Sequence, residues 1–192
     1  AFTGGSYPGT SGTCTPTLAA GANCTIDLSY SPTATGAHTD TINLTYNDGA
    51  AAQSVTHDVQ GTGAVPASLT ISNGPTYDFG NVTSLGYETV TLTITNSGGV
   101  AASSLSGSGL SGSFSFVGGG YPGTGGDCGG SLAAAASCDV VVKFLPTGLG
   151  PFTATLSMDY NNGAASQSAT LDLQGTGINA FVWAAPGNEQ TC

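Results

Sequence analysis

The sequence contains one long stretch twice, and this internal repeat constrains the fold more than any other feature. Residues 118–177 align without a gap on residues 4–63, with Cys128 on Cys14, and about half of the aligned positions are identical. A repeat of this length is longer than a solenoid turn and corresponds to a whole domain. The sequence therefore predicts two related domains in a chain of 192 residues.

Short runs of alternating apolar and polar residues, separated by turn signals, recur along the chain and are typical of β-strands. The clearest is residues 88–96, where Val90, Leu92 and Ile94 alternate with threonines. Residues 22–30 are predicted as another strand of this kind. No stretch has helical periodicity. The sequence therefore predicts an all-β fold of tandem Ig-like β-sandwich domains.

The first domain is expected to be incomplete at its N-terminus, because this sequence has no counterpart of residues 64–112 before it. Residues 1–63 are predicted to be the C-terminal part of an Ig-like domain, with its opening strands missing or supplied by another segment. Residues 64–177 are predicted to be a complete Ig-like domain. Residues 178–192 are predicted to be a linker, the first strand of a following domain, or a donor segment.

The inner face of the incomplete domain is expected to need a cover, because an exposed apolar sheet face is an association site. In the frame that places Cys14 on Cys128, the tail falls on the opening strand of the second domain. The candidate strand-addition segment is Phe181, Val182, Trp183, Ala184 and Ala185. Either a longer array supplies the missing strands, or the tail of one subunit adds a strand to the next. We favour the longer array, because the tail replaces one strand only; both versions predict head-to-tail self-association.

Four of the five cysteines recur at one spacing, Cys14 and Cys24 in the first copy and Cys128 and Cys138 in the second. Equal spacing predicts one local disulfide in each domain, whereas zinc would need four clustered ligands that neither copy supplies. Disulfides indicate an oxidising compartment, so we expect an extracellular or cell-surface protein. Cys192 is left over, either as a free thiol or paired with a partner outside this sequence.

The charge composition excludes two classes of partner. The chain has one lysine or arginine against eleven acidic residues, and its formal net charge is −10. Nucleic-acid binding needs several cations to neutralise phosphates, and docking on an anionic membrane needs them as well. No apolar run is long enough to span a membrane. We therefore expect no nucleic-acid ligand and no direct membrane insertion.

The sequence holds no clear arrangement of catalytic residues, so we expect no enzymatic activity, no cofactor and no metal site. Residues 175–180 fit the letters of a dinucleotide-binding fingerprint. That motif needs a strand before it and a helix after it, and here it closes a β-domain instead. The fingerprint therefore does not predict a cofactor.

One polar pair in the first copy replaces apolar residues of the second. Asp40 and His57 stand where the second copy has Ala154 and Leu171. A two-residue turn at Asp48-Gly49 would place Asp40 opposite His57 on paired strands. We expect a cross-strand polar pair, and a metal site or a catalytic dyad is the alternative.

Two stretches of the second copy resemble a known family. The runs are CDVVVKFLPTGLG at residues 138–150 and LQGTG at residues 173–177, and residues 78–82 and 90–96 match the same family's opening strands. They resemble the bacterial Ig-like repeats called choice-of-anchor D, which are similar to the abnormal-spindle/hydin type of Ig-like domain. The resemblance implies a surface-exposed or secreted tandem-repeat protein, with no catalytic residues to carry over.

These observations together favour a structural building block of an extracellular or cell-surface fibre. One alternative is an adhesin that binds a glycan or a host surface protein through exposed loops. A second alternative is an accessory module of a secreted hydrolase, which would require a catalytic domain elsewhere in the same protein.

Overall fold

The computed structural model describes residues 1–179, which form two compact units. Unit 1 is Ala1–Ala64, and unit 2 begins at Val65, one residue from the division expected from the repeat. All regular secondary structure in the described residues is β-strand. The strand-addition segment, residues 181–185, lies outside the described residues.

The strands are numbered in chain order through both units. Unit 1 contains β1 (Gly36–Asn47) and β2 (Ala52–Gly63). Unit 2 contains β3 (Leu69–Ile71), β4 (Thr76–Thr83), β5 (Glu88–Asn96), β6 (Ala102–Ser108), β7 (Phe114–Phe116), β8 (Ser131–Leu132), β9 (Ser137–Phe144), β10 (Gly150–Asn161) and β11 (Ser166–Ile178).

Unit 2 is an Ig-like sandwich of two sheets. One sheet has the strand order β4-β11-β10-β6-β8, and the other has the order β3-β5-β9-β7. Strands β4 and β11 pair in parallel, whereas the other neighbours are antiparallel. The β10–β11 hairpin therefore lies in the interior of its sheet, with a neighbouring strand on each side.

The core of unit 2 lies between the two sheets. In β5, Val90, Leu92 and Ile94 are buried, whereas Thr89 and Thr91 are exposed, as the alternating pattern predicts. From the other sheet, β10 and β11 contribute Leu156, Met158, Tyr160, Leu171 and Leu173. Full burial of one such large apolar side chain stabilises the fold by about 1.5–3 kcal/mol relative to exposure. Apolar contact between the sheets therefore holds unit 2 together.

Asn96, at the end of β5, is a fully buried polar side chain. Its amide oxygen accepts the N–H groups of Ser68 and Gly98, and its amide nitrogen donates to the carbonyls of Val100 and Leu132. These bonds join the segment before β3, the loop after β5 and strand β8. Because a buried polar group without partners is costly, this network fixes how the three segments meet.

In unit 1, β1 and β2 form an antiparallel hairpin with the same register as β10–β11. Pairing runs from Gly36 opposite Gly63 to Asn47 opposite Ala52, and the repeat-related residues of β10 and β11 pair in the same way. The two copies of the repeat therefore build one hairpin geometry twice.

The turn of this hairpin is longer than the two residues predicted. Four residues, 48–51, separate the paired ends of β1 and β2. The Asp48 carboxylate accepts the N–H groups of Ala50 and Ala51, both at 2.8 Å, and Asn162 makes the equivalent bonds in the other hairpin. A side chain that bonds backbone groups two and three residues ahead stabilises this wider turn.

Residues 22–30 do not form the predicted strand. They make one β-bridge, between Leu28 and Phe2, and are otherwise irregular. Their repeat counterpart, β9, pairs with β5 along its whole length. Because the described part of unit 1 has no counterpart of β5, residues 22–30 have no ladder partner, and alternation alone does not make them a strand.

Candidate functional site

The hairpin of unit 1 presents a mostly apolar face, here called the open face. It consists of His38, Asp40, Ile42, Leu44 and Tyr46 of β1 and Gln53, Val55, His57 and Val59 of β2. Paired residues and every second residue along a strand point to the same side of a sheet, so these side chains share one surface. The counterparts of Ile42, Leu44 and Val59 in unit 2 are core residues.

The exposed fractions show how differently the two hairpins are covered. Tyr46 is 52% exposed, and its counterpart Tyr160 is 8% exposed. Tyr30, whose ring lies 6.0 Å from His38, is 53% exposed, whereas its counterpart Phe144 is fully buried. In unit 2 the sheet containing β5 covers Tyr160, and Phe144 belongs to that sheet and packs against the β10–β11 hairpin. The described part of unit 1 contains no such sheet.

A cavity of about 530 Å³ opens at one end of the open face. Its lining includes Phe2, Leu28, Tyr30, His38, Asp40, Ile42 and Val59. In unit 2 the ring of Phe79, on β4, lies beside Phe144 with the centroids 5.5 Å apart. Within residues 1–179, no aromatic ring takes the place of Phe79 beside Tyr30. The cavity therefore lies where the Phe79 ring packs in unit 2, and its lining combines apolar with polar side chains.

Asp40 and His57 do not form the predicted cross-strand pair. Asp40 faces Val59 and His57 faces Ile42, and the Asp40 carboxylate accepts the backbone N–H of Thr41 at 2.8 Å. The four-residue turn shifts the register by two positions from the expected one. Such a shift keeps both side chains on the open face but makes them diagonal neighbours rather than opposed residues.

Each unit contains one disulfide, with the pairing expected from the repeat. Cys14 is bonded to Cys24 and Cys128 to Cys138, each across a sequence separation of 10. Closing a loop of this length constrains the unfolded chain by about 2.5–3 kcal/mol. The backbone N–H of Cys14 also donates to the carbonyl of Thr25. The disulfide and this hydrogen bond together hold the chain at Cys14 against the chain at residues 24–25.

The two Tyr-Pro-Gly loops direct their tyrosine rings onto their own units. Tyr7 packs edge-on against Phe2, and Tyr121 packs edge-on against Phe116, each with the ring centroids 5.7 Å apart. The Tyr121 hydroxyl donates to the carbonyl of Gly129, and burial raises the pKa of Tyr121. Both rings therefore contribute to packing within their units.

The hairpin turn of unit 1 carries a carboxylate with a shifted pKa. Hydrogen bonds from the backbone N–H groups of Ala51 and Ala50, and from the side chain of Gln53, hold the pKa of Asp48 below its usual range. Hydrogen bonds to the charged form of a carboxyl favour that form. Asp48 is therefore ionised near neutral pH and stabilises the turn.

Other expected features concern metals, membranes and the tail. Within residues 1–179, no three His, Cys, Asp or Glu side chains come together as a metal site would require. The same residues include no helix of the length and apolarity needed to cross a membrane. Cys192 and the strand-addition segment lie outside the described residues.

No protein-family model matches the chain, and no curated protein matches it. Among solved structures, it is similar to the ASH/PapD-like domain 7 of human CEP192, with 18% identity, a TM-score of 0.46, and coverage of 60% of this chain and 89% of that domain. It is also similar to the Vibrio cholerae protease VesB, with 19% identity, a TM-score of 0.46, and coverage of 58% of this chain and 32% of the protease. It is similar as well to the secreted serine protease VesC of the same organism, with 22% identity, a TM-score of 0.39, and coverage of 62% of this chain and 24% of the protease. The Ig-like assignment rests on the strand topology of unit 2.

The sequence interpretation missed two residues of the candidate site, Phe2 and Tyr30. Both line the cavity, but neither belongs to a regular strand. The available signal was the repeat itself, because their counterparts Phe116 and Phe144 are also aromatic and lie on strands. An aromatic residue present in both copies therefore marks a position that is buried in unit 2.

Proposed function

We propose that the chain is a structural building block of an extracellular or cell-surface fibre made of tandem Ig-like domains. The observation that carries the proposal is the open face of unit 1, which repeats a surface that is buried in unit 2. An exposed apolar sheet face with unpaired strand edges favours association. When a patch on one copy is covered by a different patch on the next, the contact is head-to-tail and extends into a filament unless it closes into a ring.

Composition supports the proposed location and role. The two disulfides favour an oxidising compartment outside the cytosol. With one basic residue in the whole chain, neither nucleic acid nor an anionic membrane is a suitable partner. The motif resemblance to choice-of-anchor D repeats supports a surface-exposed array. The proposal assigns no reaction to the chain; its partners are other copies.

Electron microscopy of the native material and sedimentation of the full chain test this function. We expect thread-like assemblies, and oligomers whose proportion rises with protein concentration. A monodisperse monomer in which unit 1 unfolds cooperatively would contradict the proposal, because the open face would then need no partner. Specific glycan or surface-protein binding by a chain that does not assemble would favour an adhesin instead.

A further inference from the structure

The chain contains three pairs in which an asparagine or aspartate precedes a glycine. They are Asp48-Gly49, Asn73-Gly74 and Asn162-Gly163. Because glycine has no Cβ, its backbone nitrogen is unshielded and can attack the side-chain carbonyl carbon of the residue before it. The attack closes a five-membered succinimide ring, and an asparagine loses ammonia when the ring forms. The three pairs therefore share one intrinsic chemistry, and the structure around each pair decides how fast it proceeds.

We propose that Asn73 is a site of spontaneous covalent modification, by deamidation to aspartate and isoaspartate. The other two pairs are protected by the turns in which they lie. The substrate is the chain itself and the co-reactant is water. The inference is independent of the proposed function, because it concerns the turn between β3 and β4 of unit 2 and not the open face.

The hairpin turn of unit 2 restrains both reacting groups of the pair at Asn162. The Gly163 N–H donates to Asn161 Oδ1 at 2.8 Å, so the attacking nitrogen is already engaged. The Asn162 side-chain oxygen accepts the N–H groups of Ala164 and Ala165. Its Cγ cannot turn towards the Gly163 nitrogen without the loss of these two bonds. Ring closure in this turn must therefore break three hydrogen bonds, which raises its barrier.

The turn of unit 1 has the same arrangement around Asp48. The Gly49 N–H donates to Asn47 Oδ1 at 2.8 Å, and the Asp48 carboxylate accepts the N–H groups of Ala50 and Ala51. A carboxylate anion is also a weaker electrophile than an amide. This pair is therefore protected twice, by its hydrogen bonds and by its charge.

The turn between β3 and β4 lacks these restraints. Asn73 and Gly74 are exposed, and within residues 1–179 neither the Asn73 side chain nor the Gly74 N–H has a hydrogen-bond partner. Asn73 has φ of 64°, in the left-handed region that asparagine adopts more readily than most residues. The backbone of the turn therefore favours asparagine at this position, and no hydrogen bond opposes ring closure.

The reaction needs no reagent other than water. The Gly74 nitrogen forms a bond to Asn73 Cγ, the bond from Cγ to the side-chain nitrogen breaks, and the Gly74 proton leaves with that nitrogen as ammonia. Water then opens the ring at either of its two carbonyl carbons, which gives aspartate or isoaspartate. Both products add a negative charge. Isoaspartate also adds one carbon atom to the main chain between β3 and β4.

The surroundings of the turn allow this change without unfolding unit 2. The turn leads from β3 in one sheet to β4 in the other. Before it, the Ser72 N–H donates to the carbonyl of Thr93, and after it the Asp172 N–H donates to the carbonyl of Pro75. Asn73 and Gly74 lie between these two attachments. We therefore expect the modified chain to keep the fold of unit 2.

Peptide mapping of the full chain after incubation in mildly alkaline buffer measures the loss of both asparagines in one sample. In the folded chain, Asn73 should deamidate at least about tenfold faster than Asn162, because three hydrogen bonds hold the second pair. In denaturant the two rates should converge, since both pairs are Asn-Gly. Convergence would show that the turn, and not the sequence alone, protects Asn162.

Two variants test the chemistry at the β3–β4 turn. A Cβ on Gly74 would lie 3.7 Å from the carbonyl oxygen of Ile71 and 3.8 Å from the Leu171 side chain, so Gly74→Ala fits the folded structure. Its Cβ shields the backbone nitrogen, and the variant should suppress the loss of Asn73. Asn73→Gly accepts the positive φ and has no amide, so the turn should then show no modification.

A third variant tests the protection of the other pair. Asn161→Ala removes the acceptor of the Gly163 N–H and should speed the deamidation of Asn162 about twofold to tenfold. The rate at Asn73 should not change, which provides the control in the same sample. Equal rates at the two sites in the folded chain, or a faster loss of Asn162, would overturn the inference. An unchanged rate at Asn162 in Asn161→Ala would refute the role given to the hydrogen bonds of the turn.

Discussion

The β1–β2 and β10–β11 hairpins pair in the same register, close with the same kind of turn and follow disulfide-bonded loops of equal length. A cross-strand hydrogen bond between side chains also recurs. The Thr41 hydroxyl donates to the Asp58 carboxylate at 2.7 Å, and the Thr155 hydroxyl donates to the Asp172 carboxylate at 2.8 Å. Yet one hairpin is the middle of a sandwich, and the other has an open face.

This difference separates the local features that shape each hairpin from the packing between sheets that buries one of them. Backbone pairing, turn residues and local disulfides are properties of the repeated stretch, so both copies have them. Burial depends on strands β3 to β6, which the described part of unit 1 lacks. Substitutions at matched positions should therefore have large effects in unit 2 and small ones in unit 1 wherever the side chain acts through burial.

The largest contrast is expected at Leu156 and its counterpart Ile42. Leu156→Ala should lower the free energy of unfolding of unit 2 by about 2–5 kcal/mol, because Leu156 is fully buried. Ile42→Ala should cost about 1 kcal/mol or less in the monomeric chain, since Ile42 is only half-buried. Hydrogen exchange of the amides of β10 and β1 measures the two effects separately. Equal losses would mean that the open face is covered within the monomer.

The next-largest loss of stability is expected when either disulfide is removed. The double variant Cys14→Ser/Cys24→Ser should destabilise unit 1 by about 2.5–3 kcal/mol, and Cys128→Ser/Cys138→Ser should do the same in unit 2. Because unit 1 has the smaller core, we expect only the first variant to expose its unit to proteolysis under native conditions. Limited proteolysis with peptide mapping checks this. An unchanged cleavage pattern in unit 1 would show that the hairpin is stable without its disulfide.

A smaller contrast is expected at the matched glycines Gly175 and Gly61. A Cβ on Gly175 would lie 2.5 Å from the ring of buried Phe144, and one on Gly61 would lie 2.8 Å from the ring of half-exposed Tyr30. Gly175→Ala should destabilise unit 2 by about 1–3 kcal/mol through overpacking. Gly61→Ala should be nearly neutral, because Tyr30 has room to move. A comparable loss at Gly61, measured by hydrogen exchange, would indicate that Tyr30 is held in place.

The smallest effect concerns pH at the two turns. The folded-state pKa of Asp48 is lowered by hydrogen bonds, first from Ala51, so its stabilising effect is present above the unfolded pKa and is lost as pH falls through the folded value. Below about pH 4, amide exchange in this turn should accelerate more than at the neutral Asn162 turn. Asp48→Asn should remove the difference. Identical pH profiles for the Ala51 and Ala165 amides in the native chain would contradict it.

The sequence predicted a strand correctly where apolar and polar residues alternate and a neighbouring strand is available for pairing. Residues 88–96 form β5 with the bounds expected, whereas β6 was missed because it reads as a Ser/Gly-rich loop. Its buried residues, Ala102 and Leu105, are three positions apart rather than two. The backbone irregularity responsible is local: Ser104 has φ of 53°, and the pairing with β10 shifts register nearby. Such a bulge leaves no periodic pattern to recognise.

The candidate site was predicted in part. Strand parity placed Asp40, His57 and their apolar neighbours on one face, because the side-chain period of two does not depend on turn length. Which residue faces which does depend on it, and the Asp48 side chain stabilises a four-residue turn where Asp-Gly suggested two. The pairing error therefore came from one side-chain hydrogen-bond pattern, not from the assignment of the strands.

The parallel pairing of β4 with β11 determines how unit 2 responds to tension. Thr76 opens β4 beside Asp172, and Ile178 closes β11 beside Thr83, so a pull on the N-terminal end of β4 and the C-terminal end of β11 acts along the strands in opposite directions. The ladder is then loaded in shear, with its hydrogen bonds strained together rather than opened one after another. Between those two strand ends, unit 2 would extend little until the β4–β11 ladder ruptured.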